Sequence, residues 1–124
     1  MPFDQAGFVI EPKPSDRERQ LAVLQSARDA LHVHPNLWIK GSYSNDDGGH
    51  CAVGWLRHFS SRFRAKRIAT AALVPVLPET YLVRIEVYPQ TIGTAIQAYN
   101  DDPGTTHADI VSLFDQAITR LQRM

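Results

Sequence analysis

The chain has 124 residues, of which 44% are hydrophobic and 21% charged, and its thirteen basic residues are balanced by thirteen acidic ones. A chain of this size and composition forms one domain with its own core, which excludes a disordered protein. Zero net charge also excludes an overall field that would draw the protein to nucleic acid or to an anionic membrane, so such binding requires a local patch.

The cysteine count and the lack of long apolar runs bear on location. A single cysteine cannot form an internal disulfide, which is typical of a reducing compartment. The N-terminus has no basic segment followed by an apolar run, and no stretch approaches the roughly 20 apolar residues that span a bilayer. We therefore expect a cytoplasmic protein without a signal peptide or a membrane span.

The first part of the chain predicts a short arm followed by a helix. Residues 1–14 contain three prolines and predict an N-terminal arm, and residues 15–124 predict a single globular domain. Ser15-Asp16-Arg17-Glu18 is a capping-box pattern, and apolar residues then recur at spacings of three and four. Pro35 predicts that this helix ends near residue 33.

Two stretches predict strands. Residues 37–43 are β-prone and contain a glycine, and residues 81–88 alternate apolar and polar side chains. A lone strand would leave its backbone unpaired, so residues 81–88 require a partner. Residues 37–43 and residues 8–11 are both candidates for that partner.

Further helices are predicted over residues 50–60, 68–74, 92–99 and from Thr106 onwards, where Asp109 completes a second capping box. The predicted fold class is therefore α+β and mostly α, with about five helices and a small two- or three-stranded sheet. The predicted core consists of Leu21, Leu24, Leu31, Val53, Leu56, Ile96, Ile110, Leu113, Phe114 and Ile118.

Cys51 is the residue with the clearest chemical potential. It follows Gly48-Gly49-His50 at the start of a predicted helix, where free backbone N–H groups and the helix dipole favour a lowered thiol pKa. A thiolate there is a nucleophile in many cysteine enzymes, provided that a base lies within reach. The alternative is a small buried residue that packs the start of the helix.

The remaining members of such a catalytic site lie elsewhere in the sequence. Candidate bases are His50, His58 and His107, with Asp101 or Asp109 as the group that orients the base. His50 is a neighbour of Cys51 in sequence, and neighbours on a helix point in different directions.

Asn100-Asp101 supports two interpretations. The pair can offer an amide or a carboxylate to a ligand, or it can end a helix and begin a turn. It can also accept hydrogen bonds from the free N–H groups of the Cys51 helix and so tie two segments together.

A metal site and a basic patch complete the candidates. His32-x-His34 with Cys51, Asp46 or Asp47 could hold a metal, but no second Cys/His cluster supports it, and we predict neither a metal nor another cofactor. Residues 57–67 contain five cations, two phenylalanines and no acid, a pattern that can contact phosphates or form a solvated helix face. The candidate binding residues are Arg57, Arg62, Arg64, Lys66, Arg67 and Asn100.

Three motifs in order resemble a family of small uncharacterised bacterial and phage proteins. They are Trp38-Ile39-Lys40-Gly41, the Gly-x-x-Cys-x-x-Gly stretch from Gly48 to Gly54, and Asn100-Asp101 followed by Thr106 and the Asp109-Ile110-Val111 helix. The resemblance covers about residues 20 to 122 and implies a shared fold. This chain has Trp55 where the family usually has alanine. The family has no established activity, so the resemblance implies no catalytic residues.

The sequence therefore predicts a domain of unknown function that acts as a non-enzymatic accessory or protein-binding module, with a protein partner or a second copy of the chain as its target. The first alternative is a cysteine-dependent hydrolase or transferase that uses Cys51. The second is nucleic-acid binding through residues 57–67.

Overall fold

The computed structural model describes residues 14–60, 63–82 and 92–124. These contain five α-helices with complete bounds: α1 Pro14–Val33, α2 Ala52–Phe59, α3 Phe63–Ala72, α4 Ile92–Asp101 and α5 His107–Gln122. Short 3-10 turns lie at Pro35–Leu37 and Val74–Val76, and residues 79–82 are also helical. Within these ranges, no helix combines the length and the apolar character that crossing a membrane requires.

The first residues of α1 and α5 explain where these helices begin. Helix α1 starts at Pro14, a residue favoured in a first turn, so Ser15 is helical rather than the predicted N-cap. Helix α5 has the predicted capping box: Thr106 accepts a hydrogen bond from the Asp109 backbone, and the Asp109 carboxylate accepts one from the Thr106 backbone.

The core lies where α1 packs against α5, α3 and α2, and α2 also contacts α4. Eight of the ten predicted core residues are buried, while Leu21 and Ile118 are partly buried against the same cluster. Six alanines, which the prediction left out, are also buried, and their small side chains let helix backbones approach closely. These are Ala27, Ala52, Ala69, Ala72, Ala95 and Ala117.

The predicted sheet is wrong. Over the described ranges there is no strand, and residues 37–50 contain only isolated bridges from His50 to Trp38 and to Ser44. Residues 81–82, the start of the second predicted strand, are helical, while residues 83–88 and 8–11 lie outside the described part of the chain. The described part of the chain is therefore helical rather than α+β.

The segment from Leu37 to Gly41 shows why β-prone residues form a loop here. The Ile39 backbone N–H bonds the His50 carbonyl at 3.2 Å, and the His50 N–H bonds the Leu37 carbonyl at 2.8 Å. The Ile39 carbonyl and the Gly41 N–H form hydrogen bonds with side chains of α4 instead of with a neighbouring strand. Gly41 has a φ of 90°, a backbone conformation that favours glycine and turns the chain away. Apolar side chains are packed while the backbone is satisfied without a sheet.

Candidate functional site

Residues of all three sequence motifs meet in a hydrogen-bonded cluster between the 38–51 loop, the start of α2 and the end of α4. We call it the Asn100 network. Its members are Trp38, Ile39, Gly41, Cys51, Ala52, Gln97, Asn100 and Asp101.

Asn100 lies at the centre of this network and has no exposed surface. Its Oδ1 accepts hydrogen bonds from the Trp38 indole Nε1 at 2.7 Å and from the Ala52 backbone at 3.0 Å. Its Nδ2 donates to the Ile39 carbonyl and to Asp101 Oδ1, both at 3.0 Å. The amide therefore uses all four of its hydrogen-bonding positions. The predicted tie between Asn100 and a free N–H group of the Cys51 helix is present.

Cys51 is the N-cap of α2 and is fully buried. Its sulfur accepts a hydrogen bond from the Gly54 backbone at 3.3 Å and donates one to Gln97 Oε1 at 2.9 Å. Burial raises the pKa of the thiol, and the backbone N–H groups of Gly54 and Val53 offset this only in part. The predicted lowering of this pKa is therefore wrong, because desolvation of a thiolate outweighs the field of the helix end.

Gln97 links the thiol to Asp101 and is the member that the sequence prediction missed. Its Nε2 donates to both carboxylate oxygens of Asp101, at 3.0 and 2.9 Å. Gln97 lies three residues before Asn100 and four before Asp101, a spacing that puts all three on one helix face. That spacing was the available signal.

Asp101 bonds a different part of the loop from Asn100. Its Oδ1 accepts a hydrogen bond from the Gly41 backbone at 2.9 Å. Burial acts to raise the pKa of Asp101, but bonds from Gly41, Asn100 and Gln97, together with the Lys40 charge, outweigh it and leave this pKa below its ordinary value. Charged Asp101 therefore anchors the loop to the end of α4.

Gly54 lets the loop lie directly on α2. A Cβ at this position would overlap the Tyr43 carbonyl oxygen and would lie 3.0 Å from the Cβ of His50. The Tyr43 carbonyl also accepts a hydrogen bond from the Cys51 backbone at 3.2 Å. The second glycine of the Cys51 motif is therefore explained by a close approach of backbone to backbone.

The candidate bases are not among the described hydrogen-bond partners of the Cys51 thiol, which are Gln97 and Gly54. The His50 ring packs against Trp55, with centroids 4.6 Å apart, and against His58 at 5.0 Å. Burial and the His58 charge lower the pKa of His50, against a smaller effect of the Tyr43 backbone. His107 bonds the Leu31 carbonyl through Nε2 at 2.7 Å. The Asp109 carboxylate accepts a hydrogen bond from the Thr106 backbone in the α5 capping box.

The basic candidates are only partly described. Arg57 is exposed, and its guanidinium lies 5.0 Å from the centroid of the Tyr43 ring. Arg67 is exposed in α3 and makes an interaction of its own. Arg62 and the side chains of Arg64 and Lys66 lie outside the described part of the structure.

The metal candidates do not converge in the portion of the chain that can be described. His32 and His34 are exposed at the end of α1, Asp46 and Asp47 are exposed in the loop, and Cys51 is buried. No group of three or more histidine, cysteine, aspartate or glutamate side chains there could hold a metal ion.

The helices and the Asn100 network define a small helical domain in which a loop is fastened to two helices by buried polar side chains. The model of a family of unknown function, DUF6197, matches residues 15–120, and the chain belongs to that family. No curated protein and no solved structure matches the chain. The family match confirms the predicted class of unknown function, while the motif set and a bacterial or phage origin stay predictions.

Proposed function

We propose that the protein is a non-enzymatic binding module that acts on a protein partner, in the cytoplasm. The observation that carries this proposal is the use of the Cys51 thiol by the fold itself. Its sulfur caps α2 and bonds Gln97 with no exposed surface. A nucleophile must instead reach a substrate as a thiolate.

The alternative is a cysteine hydrolase or transferase with Cys51 as nucleophile, His50 or His107 as base and Asp101 as orienting group. Such an enzyme would have to break the bonds that hold the thiol and bring a histidine to it. His107 bonds α1, Asp101 bonds the loop, and the thiol has a raised pKa. These three arrangements favour the binding module.

Alkylation by iodoacetamide at neutral pH separates the two functions. We expect the native thiol to react on the order of a hundredfold more slowly than the thiol of the urea-unfolded chain, because it is buried and protonated. A Ser42→Cys variant in the Cys51→Ser background is the matched control, because Ser42 is exposed in the same loop. A native Cys51 that reacts as fast as the control thiol would contradict the binding module and favour the enzyme.

A further inference from the structure

We propose that the partner docks on the surface formed by Tyr43, Arg57, His58 and Phe59, and that it presents an extended acidic segment with a carboxylate next to an apolar side chain. This surface is called the Tyr43 surface. The inference rests on the proposed function, because it names the partner of a protein assumed to be a binding module.

The first argument is aromatic exposure. Tyr43 is 43% exposed and Phe59 39% exposed, and they are the aromatic members of the large hydrophobic residues that are exposed in the described ranges. The Phe59 ring lies 4.8 Å from that of His58, which lies 5.0 Å from that of His50. The Tyr43 ring adjoins this cluster through Arg57, the residue before His58, whose guanidinium lies 5.0 Å from its centroid. Exposed tyrosine next to arginine is the composition of binding hot spots.

The second argument is charge. Arg57 lies over the Tyr43 ring and pairs with no carboxylate in the part of the chain that is described. The sequence has no acidic residue from Gly48 to Pro78, although the whole chain is neutral. A guanidinium that is held by an aromatic ring and lacks an anion is suited to a partner carboxylate, which it can bind with two parallel hydrogen bonds.

The surface is also held in place before binding. The Tyr43 carbonyl bonds the Cys51 backbone, and Gly54 lets that carbonyl rest on α2. The Asn100 network fixes the loop on its other side. A preorganised site loses less conformational entropy when the partner docks.

An acidic peptide fits better than a nucleic acid. Tight non-specific phosphate binding takes several cations, about 6–10 phosphate contacts in well-studied proteins. Among the side chains that the structure describes, the Tyr43 surface offers the guanidinium of Arg57, which is enough for one carboxylate. The net charge of the chain is zero, so no wider field adds to it.

The test selects short random peptides displayed on phage against the immobilised full chain, and then measures synthetic versions of the enriched peptides by fluorescence anisotropy. We expect enriched peptides to carry Asp or Glu beside a large apolar residue. Arg57→Gln should weaken their binding about tenfold, as should exchange of the peptide acids for amides, because either change removes one partner of the ion pair. Arg123→Gln changes an exposed arginine at the C-cap of α5; it is the control and should bind unchanged.

The other outcomes separate the inference from the proposed function. Enriched neutral peptides whose binding is insensitive to Arg57→Gln would overturn the acidic partner and leave the binding module standing. Binding of a deoxythymidine oligonucleotide that Arg57→Gln abolishes, with no enriched peptide, would overturn both in favour of nucleic-acid binding. Absence of any binding would also overturn both. Unchanged urea midpoints for the variants show that each comparison uses folded protein.

Discussion

Asn100 illustrates how one side chain can hold three segments of a chain. Its amide bonds the Trp38 indole, the Ile39 carbonyl, the first N–H of α2 and the neighbouring Asp101. The bond to the Ala52 N–H is buried and the other three are partly buried, so losing the amide leaves several donors and acceptors without their partner. The residue is therefore a stability determinant rather than a group open to a ligand.

Replacing Asn100 with alanine should lower the free energy of unfolding by about 3 kcal/mol, because buried polar groups on both sides of the amide lose their partners. Urea unfolding followed by Trp fluorescence measures the change. Asn36→Ala is the matched control, since Asn36 is exposed in the 3-10 turn, and it should change stability by less than about 0.5 kcal/mol. Similar losses in both variants would contradict the central role of Asn100.

At the scale of elements, α2 depends on being able to touch the loop. An alanine normally stabilises a helix interior relative to glycine by about 1 kcal/mol. At Gly54 the added Cβ would meet the Tyr43 backbone, which cannot move without breaking the Cys51–Tyr43 hydrogen bond. Packing should therefore reverse the usual effect of helix propensity at this site.

Gly54→Ala should destabilise the protein by about 2 kcal/mol through overpacking. Gly93→Ala in α4 is the paired control, because a Cβ there has nothing within 4 Å, and it should be neutral or stabilising by up to about 1 kcal/mol. Thermal and urea unfolding of both variants give the comparison. If Gly54→Ala also gained stability, the close approach of loop and helix would be wrong.

The helices were predictable because their apolar spacing is local information. Most of the core follows from that periodicity, and the α5 capping box follows from the three-residue spacing of Thr106 and Asp109. The loop was not predictable in the same way, because its backbone bonds side chains that are distant in sequence. The Ile39 carbonyl bonds Asn100, 61 residues away, and the Gly41 N–H bonds Asp101, 60 residues away. Residues 37–41 therefore have the composition of a strand but form a loop, because their backbone bonds the Asn100 amide and the Asp101 carboxylate instead of another strand.

The site was predictable in membership more than in chemistry. The motif spacing brought Cys51, Asn100 and Asp101 into consideration together, and the structure joins them through Gln97. The direction of the thiol pKa was not available, because burial depends on how the whole chain packs around the helix start. The local sequence predicts that Cys51 lies at the start of α2, but it does not predict whether the thiol there is exposed to solvent.

At the scale of the whole molecule, two members of the Asn100 network make stability depend on pH: Asp101 limits it in acid and Cys51 limits it in alkali. Asp101 has a pKa held below its ordinary value of 3.8, so its contribution is present at neutral pH and is lost as the pH falls through that range. Asp101→Asn should be less stable than the native chain at neutral pH, with the gap narrowing below about pH 4. Asp46→Asn, at an exposed loop position, should follow the native curve. A constant gap from neutral to acid pH would contradict the role of the charge.

The thiol sets the alkaline limit. The folded-state pKa of Cys51 lies above its ordinary value of 9.0, so the unfolded chain releases this proton first as the pH rises. The stability due to the buried neutral thiol is therefore complete below about pH 9 and decreases above it. Cys51→Ser keeps a side chain that can cap the helix and removes the titration. The pKa of Tyr99 is also raised by burial, with Asp109 and Asp102 adding to the effect, but that contribution is common to both proteins and cancels in their difference. Urea midpoints under reducing conditions, measured from neutral pH to about pH 10.5, should fall more steeply for the native chain than for Cys51→Ser, whereas parallel curves would mean that the thiol is not desolvated in the folded state.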